Sequence, residues 1–224
     1  LPKWLQKHPT YLKKAGLCVE VSEKELERIS GQKTPNQVLA VARIPDSPYD
    51  EPHGIQIEAL MHELKENQKL SGATPIIIAL DCIQDPGNFG TIMRTADWFG
   101  IRFIICSPDS ADVYSPKVVQ SSMGSITRIR VVSANLPELL KKLATRTDIY
   151  AATLNGKAFG GPLQDKPLVL VIGNESKGIS GEVLKHVSHQ VTIPGHPGAE
   201  SLNAAVAAGI LMSWLSNPMN KNQK

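Results

Sequence analysis

Apolar residues along this chain gather in short blocks rather than long runs. From Ile76 onward, β-branched and apolar stretches recur at Ile76–Leu80, Phe103–Cys106, Ile129–Val132, Ile149–Ala152, Leu168–Ile172 and Val191–Ile193. Helical spacing of apolar positions fills several of the intervals, at Ile92–Phe99, Leu136–Ala144, Glu182–Val187 and Ala204–Leu215. Strands apolar on both faces, alternating with helices, predict a mostly parallel sheet covered on both sides. The class is α/β.

The N-terminal stretch has a different grain. Trp4–Lys14 reads as a helix and Leu17–Glu20 as a strand. Ser22 with Glu25 three residues on is a capping box, opening a helix through Ile29, and Val38–Ala42 reads as a second strand. Prolines 45, 48 and 52 then interrupt both helix and strand, so the region reads as a linker. The organisation expected is a small unit at 1–43, a linker at 44–72 and a larger unit at 73–224. The first unit is short for a domain and starts at Leu1 rather than methionine, so it is expected to lack its beginning.

Composition narrows the class of function. The 224 residues are 42% hydrophobic and 20% charged, which supports a packed core and excludes global disorder. No apolar run reaches a membrane span, and no secretory signal is visible. Cys18, Cys82 and Cys106 are odd in number and far apart, which speaks against a disulfide framework or a zinc cage and for the reducing cytoplasm. A net charge of +3 with evenly spread lysine and arginine permits a polyanionic partner without demanding one. Apart from the adjacent Trp98-Phe99, the few aromatic residues are scattered, so an aromatic stacking sheet for single-stranded RNA is not expected.

Ligands of open α/β sheets bind beyond the carboxyl ends of the strands. Three loops there combine glycine with hydrogen-bonding side chains. They are Asp81–Gly90, which leads into a helix bearing Arg94; Gly173–Gly178; and Pro194–Asn203, which opens the last helix. Plainer readings stand beside each. Gly-Asn-Glu after a strand also makes an ordinary turn, Ser201 and Asn203 also serve as helix caps, and a lone arginine on a helix is usually solvated. Asp81 and Asp85 lack a third ligand at suitable spacing, so no metal is expected. Neither GxGxxG nor GxxxxGK[ST] occurs, which disfavours dinucleotide and P-loop enzymes. Spacing alone does not name the ligand.

The three loops, in this order, resemble the motifs of the SpoU (TrmH) family of RNA ribose methyltransferases. The matching stretches are Asn88–Gly100, Leu170–Ile179, and Ile193-Pro194 followed by Ser201–Ala207, with Asp85–Asn88 and Ser115–Val119 in support. Gln120 departs from the pattern, standing where many members carry arginine. The segment Val19–Ala42 resembles the end of the small substrate-binding domain of many members. The resemblance implies a SPOUT sheet with a C-terminal trefoil knot, S-adenosylmethionine as cofactor, and a homodimer with its site at or near the interface. The substrate implied is a ribose 2′-hydroxyl of structured RNA, ribosomal RNA ahead of transfer RNA. A non-catalytic RNA-binding member is the reading from another class.

By the same resemblance Thr153, Leu154, Gly173, Asn174, Gly178, Ile193, Ser201 and Leu202 would touch the cofactor. Arg94 takes the central catalytic part. A guanidinium stays protonated throughout the range in which proteins work, so phosphate binding and stabilisation of the developing alkoxide suit it better than proton abstraction. Asn88 would position the nucleotide or Arg94, Glu175 would aim Arg94 as its ion-pair partner, and Ser201 and Asn203 would complete the pocket.

Overall fold

The computed structural model describes residues 16–31, 34, 36–44, 55–71, 74–159, 166–196, 198 and 200–216. The chain divides into two compact units, Leu1–Asp46 and Ser47–Lys224. In the first, helix α1 (Glu23–Ile29) is opened by the expected capping box. The Glu25 N–H donates to Ser22 Oγ at 3.3 Å and the Ser22 N–H donates to Glu25 Oε2 at 2.8 Å. Those bonds from Ser22 hold the Glu25 carboxyl below the usual carboxylate range.

The two strands expected around α1 are not formed. Neither Leu17–Glu20 nor Val38–Ala42 carries a ladder, and Leu17 and Val41 are 83% and 96% exposed. Apolar and β-branched residues favour a pleated surface only where a neighbouring strand and an apolar face receive them. The helix expected at Trp4–Lys14 and the prolines of the linker lie outside the described residues.

The second unit is a six-stranded parallel sheet in the order β3-β2-β1-β5-β4-β6, matching the α/β expectation. Its strands are β1 (Ile76–Asp81), β2 (Phe103–Cys106), β3 (Arg130–Ser133), β4 (Asp148–Ala158), β5 (Leu168–Gly173) and β6 (His189–Thr192). Side-chain alternation sorts the core into two layers. Ile76, Ile78 and Leu80 pack into one cluster with α3 (Pro86–Trp98), α4 (Pro116–Ser122) and α7 (Ala204–Ser216). Ile77 and Ala79 join the other with α2 (Ile57–Ser71), α5 (Leu136–Leu143) and α6 (Gly181–Leu184).

Two elements differ from expectation in ways that matter. Helix α2 occupies the later part of the stretch read as a linker. Its Ile57, Leu60, Met61 and Leu64 fall at i, i+3, i+4 and i+7 and are buried, a stripe that the preceding prolines mask in the sequence. Helix α3 starts at Pro86 rather than Ile92. Asp85 is its N-cap, its carboxylate accepting the Asn88 N–H at 2.7 Å, and Pro86 needs no N–H at the first position.

The sheet order fixes where a ligand can enter. Strands β1 and β5 are neighbours, but β1 leads into α3 on one face while β5 leads into α6 on the other. Loops diverging to opposite faces open a crevice at the carboxyl ends of those two strands. From edge strand β6 the chain returns to lay α7 against α3, with the Gly209 position close to Thr95. On its other flank α3 meets α4 at Gly90, where a Cβ would overlap Ser121 Oγ and the Val118 carbonyl. Near the C-terminal end of α3, Asp97 accepts from Arg128 Nε at 2.8 Å and Ser125 Oγ at 2.9 Å. The Arg128 guanidinium keeps the Asp97 carboxyl below its usual range.

Candidate active site

The crevice gathers the three motif loops through one line of side-chain hydrogen bonds. Asn203 precedes α7, and its Oδ1 accepts the N–H groups of Ala205 (2.9 Å) and Val206 (3.3 Å). Capping therefore fixes which end of the amide is oxygen. Its Nδ2 is left to donate to Asn88 Oδ1 at 2.8 Å, which turns Asn88 Nδ2 toward Glu175 Oε1 at 2.9 Å. Asn88 itself is fixed at the start of α3 by the Asp85 cap. Asn203, Asn88 and Glu175, drawn from the third, first and second motifs, thus form a chain with every donor pointing toward Glu175.

The loop after β5 is a tight turn. A Cβ on Gly173 would overlap the backbone of Gly178 and Ile179, and Gly178 has a φ of +70°, so both positions require glycine. Asn174 is engaged inside the protein. Its backbone exchanges hydrogen bonds with Gly178, its Oδ1 accepts from Ser176 and Lys177 N–H at 3.0 Å each, and its Nδ2 donates to the Cys82 carbonyl at 2.8 Å. The second hydrogen of its Nδ2 is what remains for the cofactor contact expected of it.

Strand β4 interrupts its pairing where the cofactor loop was expected. Ala152 and Lys157 both face Val191, so Thr153–Gly156 bulge out of the ladder between them. Thr153 Oγ1 is buried there without a hydrogen-bond partner among the described residues, and Leu154 is 76% exposed. On the loop before α7, Leu202 is 49% exposed. An orphaned buried hydroxyl and displayed leucines on loops at the carboxyl edge suit a ligand with both apolar and hydrogen-bonding parts, as S-adenosylmethionine has. Ile193 follows β6 on the same edge.

Two expected members stand apart from the hydrogen-bonded chain. Arg94 is exposed, and its side chain makes no hydrogen bond or ion pair among the described residues. It lies about 120° around α3 from Asn88, on an outward ridge with exposed Thr91 and Trp98. Glu175 is therefore engaged by Asn88 in this chain, not by Arg94 as expected. Ser201 is exposed and without a side-chain partner among the described residues. Among those residues no group of three metal-binding side chains occurs, and no helix is long and apolar enough to cross a membrane.

Comparison with known proteins decides the family. Residues 75–213, more than half of the chain, match the sequence model of the SpoU rRNA Methylase family. The chain belongs to that family. Over 209 residues this SpoU chain is 31% identical to the 23S rRNA (guanosine(2553)-2'-O)-methyltransferase of Bacillus subtilis, spanning 92% of the present chain and 75% of that protein. An uncharacterized tRNA/rRNA methyltransferase of Synechocystis is 38% identical over 138 residues, but only half of its length is spanned. Among solved structures, the rRNA methyltransferase of Sinorhizobium meliloti matches with a TM-score of 0.73 at 28% identity, covering 94% of this chain and 75% of that one. Its AdoMet-bound form matches at 0.69 over the same share of this chain and 76% of its own. Members of the family are S-adenosylmethionine-dependent RNA methyltransferases, and the chain is an enzyme of that class with a SPOUT-type fold.

Proposed function

We propose that this SpoU methyltransferase acts in the cytoplasm as a homodimer, methylating a ribose 2′-hydroxyl of ribosomal RNA. The observation that carries the reading is the Asn203–Asn88–Glu175 chain, which joins all three motifs at the crevice between β1 and β5. Thr153, Leu154, Ile193, Leu202 and the tight Gly173–Gly178 turn would hold S-adenosylmethionine, with the unpartnered Thr153 hydroxyl as one polar contact. When bound, that cofactor supplies an electrophilic methyl on a sulfonium.

The chain's own residues orient the acceptor. Asn88 is fixed by its cap and by Asn203, so it presents Glu175 with one oxygen engaged and the other open among the described residues. Ser201 lines the ribose side of the pocket. Arg94 points outward from its own chain, so a second copy supplies the guanidinium that pairs with the open oxygen of Glu175. That guanidinium binds the adjacent phosphate and stabilises the alkoxide as water or a phosphate oxygen takes the proton. Holding the hydroxyl in line with the methyl provides much of the acceleration. The small N-terminal unit, 1–43, serves RNA selection, and the C-terminal segment carries the family's trefoil knot.

The test is transfer of labelled methyl from S-adenosylmethionine to 23S ribosomal RNA transcripts and to transfer RNA, with ribose methylation mapped by primer extension. The equivalent of guanosine 2553 is the first position to inspect, on the strength of the Bacillus relative. Methyl incorporated only into transfer RNA would overturn the substrate, and cofactor binding without any transfer would favour the non-catalytic reading. An active monomer by sedimentation would remove the dimer.

A further inference from the structure

Asp81 closes an otherwise apolar β1 and is buried at 6% exposure, an unusual place for a carboxylate. Its Oδ2 accepts the Ser180 N–H at 2.7 Å, at the far end of the loop that presents Glu175. Among the described residues no other side chain holds Ser180. The next residue after Asp81, Cys82, sits in the left-handed region at φ 60°, a conformation that costs a non-glycine residue about 1 kcal/mol. It is held there from both sides. Its N–H donates to Ser107 Oγ at 2.8 Å, and its carbonyl accepts from Asn174 Nδ2 at 2.8 Å.

Asn174 thereby does two things with one side chain. Its oxygen gathers the Ser176 and Lys177 N–H groups and shapes the turn that carries Glu175. Its nitrogen holds the bend from which the first motif departs toward Asn88. The loops that must meet at Asn88 and Glu175 come from different strands and run to opposite faces of the sheet. The β1–β5 ladder sets their separation as far as Asp81 and Gly173, and beyond it these side-chain bonds tie the two loops.

We infer that Asp81 and Asn174 are positioning residues of the methyl-transfer site, clasping the second-motif loop to the exit of β1 so that Glu175 meets Asn88. The inference rests on the methyltransferase reading above. Neither side chain touches the reacting groups. Both act through the loops they hold, and the left-handed Cys82 is the point where the hold is under load.

The experiment compares Asn174→Asp, Asn174→Ala, Asp81→Ala and Asp81→Asn with the parent, measuring kcat, KM for RNA, cofactor affinity by calorimetry, melting temperature and amide exchange over 174–180. Asn174→Asp keeps the acceptor for Ser176 and Lys177 but loses the donor to Cys82. It is expected to lower kcat about a hundredfold, the scale of an ångström's misplacement. Exchange in the turn should stay slow and RNA KM near the parent's. Asp81→Ala should speed exchange at Ser180 and lower kcat similarly. Asp81→Asn, which retains an acceptor, should recover most of the rate. Adding Cys82→Gly to Asn174→Asp should restore part of it, because glycine takes the left-handed conformation without help. Parent-like kcat in Asn174→Asp and Asp81→Ala would overturn the inference. So would losses that track melting temperature alone with no rescue by Asp81→Asn or Cys82→Gly. A parent that transfers no methyl would instead overturn the functional reading, and the clasp would then stand or fall on exchange at Ser176, Lys177 and Ser180.

Discussion

Asn88→Asp isolates the direction of the hydrogen-bond chain from everything else at the site. The change is nearly isosteric. The introduced carboxylate would still accept from Asn203, and a negative charge in the first turn of α3 favours the positive end of the helix. Folding stability should therefore move little. What changes is the group now 2.9 Å from Glu175 Oε1, which turns from a donor into a second carboxylate. Two like charges relaxed to about 4 Å apart repel by about 1 kcal/mol in water and about 4 kcal/mol nearer a protein surface. The hydrogen bond to a charged partner, worth about 1.5–3 kcal/mol, is lost as well. The contact is exposed to solvent, so the low ends apply, and about 2–3 kcal/mol of orientation is removed.

If that orientation is needed at the transition state, kcat falls by roughly 30- to 200-fold at neutral pH. The pH dependence has a definite sign. Two adjacent carboxylates raise one another's affinity for a proton, so one of the pair in this variant keeps its proton to higher pH than a lone carboxyl does. Once bound, that shared proton rebuilds a donor between the introduced carboxyl and Glu175. Activity relative to the parent should rise as pH falls from about 8 to about 5.5. Methyl transfer to RNA from labelled S-adenosylmethionine, measured for both proteins across that range, is the assay. A variant within a fewfold of the parent at pH 8, or a ratio independent of pH, would refute the role of the chain.

Other expectations follow from the same structure. Arg94→Ala should lower methyl transfer on the order of a hundredfold or more while calorimetric cofactor affinity stays unchanged, since the exposed side chain bonds to none of the expected cofactor residues among those described. A chain starting at Ser47 should fold and bind S-adenosylmethionine, whereas one starting at Ala73 removes the buried Ile57, Leu60, Met61 and Leu64. Each of those side chains contributes roughly 1.5–3 kcal/mol, so the shorter chain should melt far lower or aggregate. With a thiol reagent at pH 8, Cys18 should react first and Cys106 only after denaturation, because burial pushes the Cys106 thiol up to about 11. Equal reactivity of all three thiols in the native protein would contradict that burial.

Much of the fold is legible in residue pattern because parallel strands buried on both faces leave continuous apolar runs. Ile76–Leu80 and Leu168–Ile172 are neighbours in the sheet and stand out as such in the sequence. The start of the first-motif helix escapes the hydrophobic period, since Asp85-Pro86 signals a cap by chemistry instead. Helix α2 is hidden for the opposite reason: its stripe is present, but polar residues dominate its average and prolines precede it. Leu17 and Val38 show the limit of propensity, for apolar residues with nothing to pair against remain outside any ladder. The carboxylate of Asp81 and the bend at Cys82 leave one signal, a charged residue ending an apolar run. The partner of Asp81, Ser180, lies 99 residues away and only the fold could supply it.

Arg94 and Asn203 are both candidates on sequence grounds, and both also have plainer readings as a solvated arginine and a helix cap. The structure does not choose between cap and site for Asn203, because one amide performs both tasks. The helix takes the oxygen first, since two N–H groups at the start of α7 compete for it. The nitrogen is then the only atom left to face Asn88, and Asn88 in turn has only its nitrogen left for Glu175. The polarity of the site is thus set by the backbone of α7, the element that returns from the sheet edge to pack on α3. A fold that brought α7 back to α3 with another residue at the cap would keep the packing and lose the direction of the chain. Asn203 does not merely line the crevice. It transmits the orientation of a helix end to a carboxylate two links away.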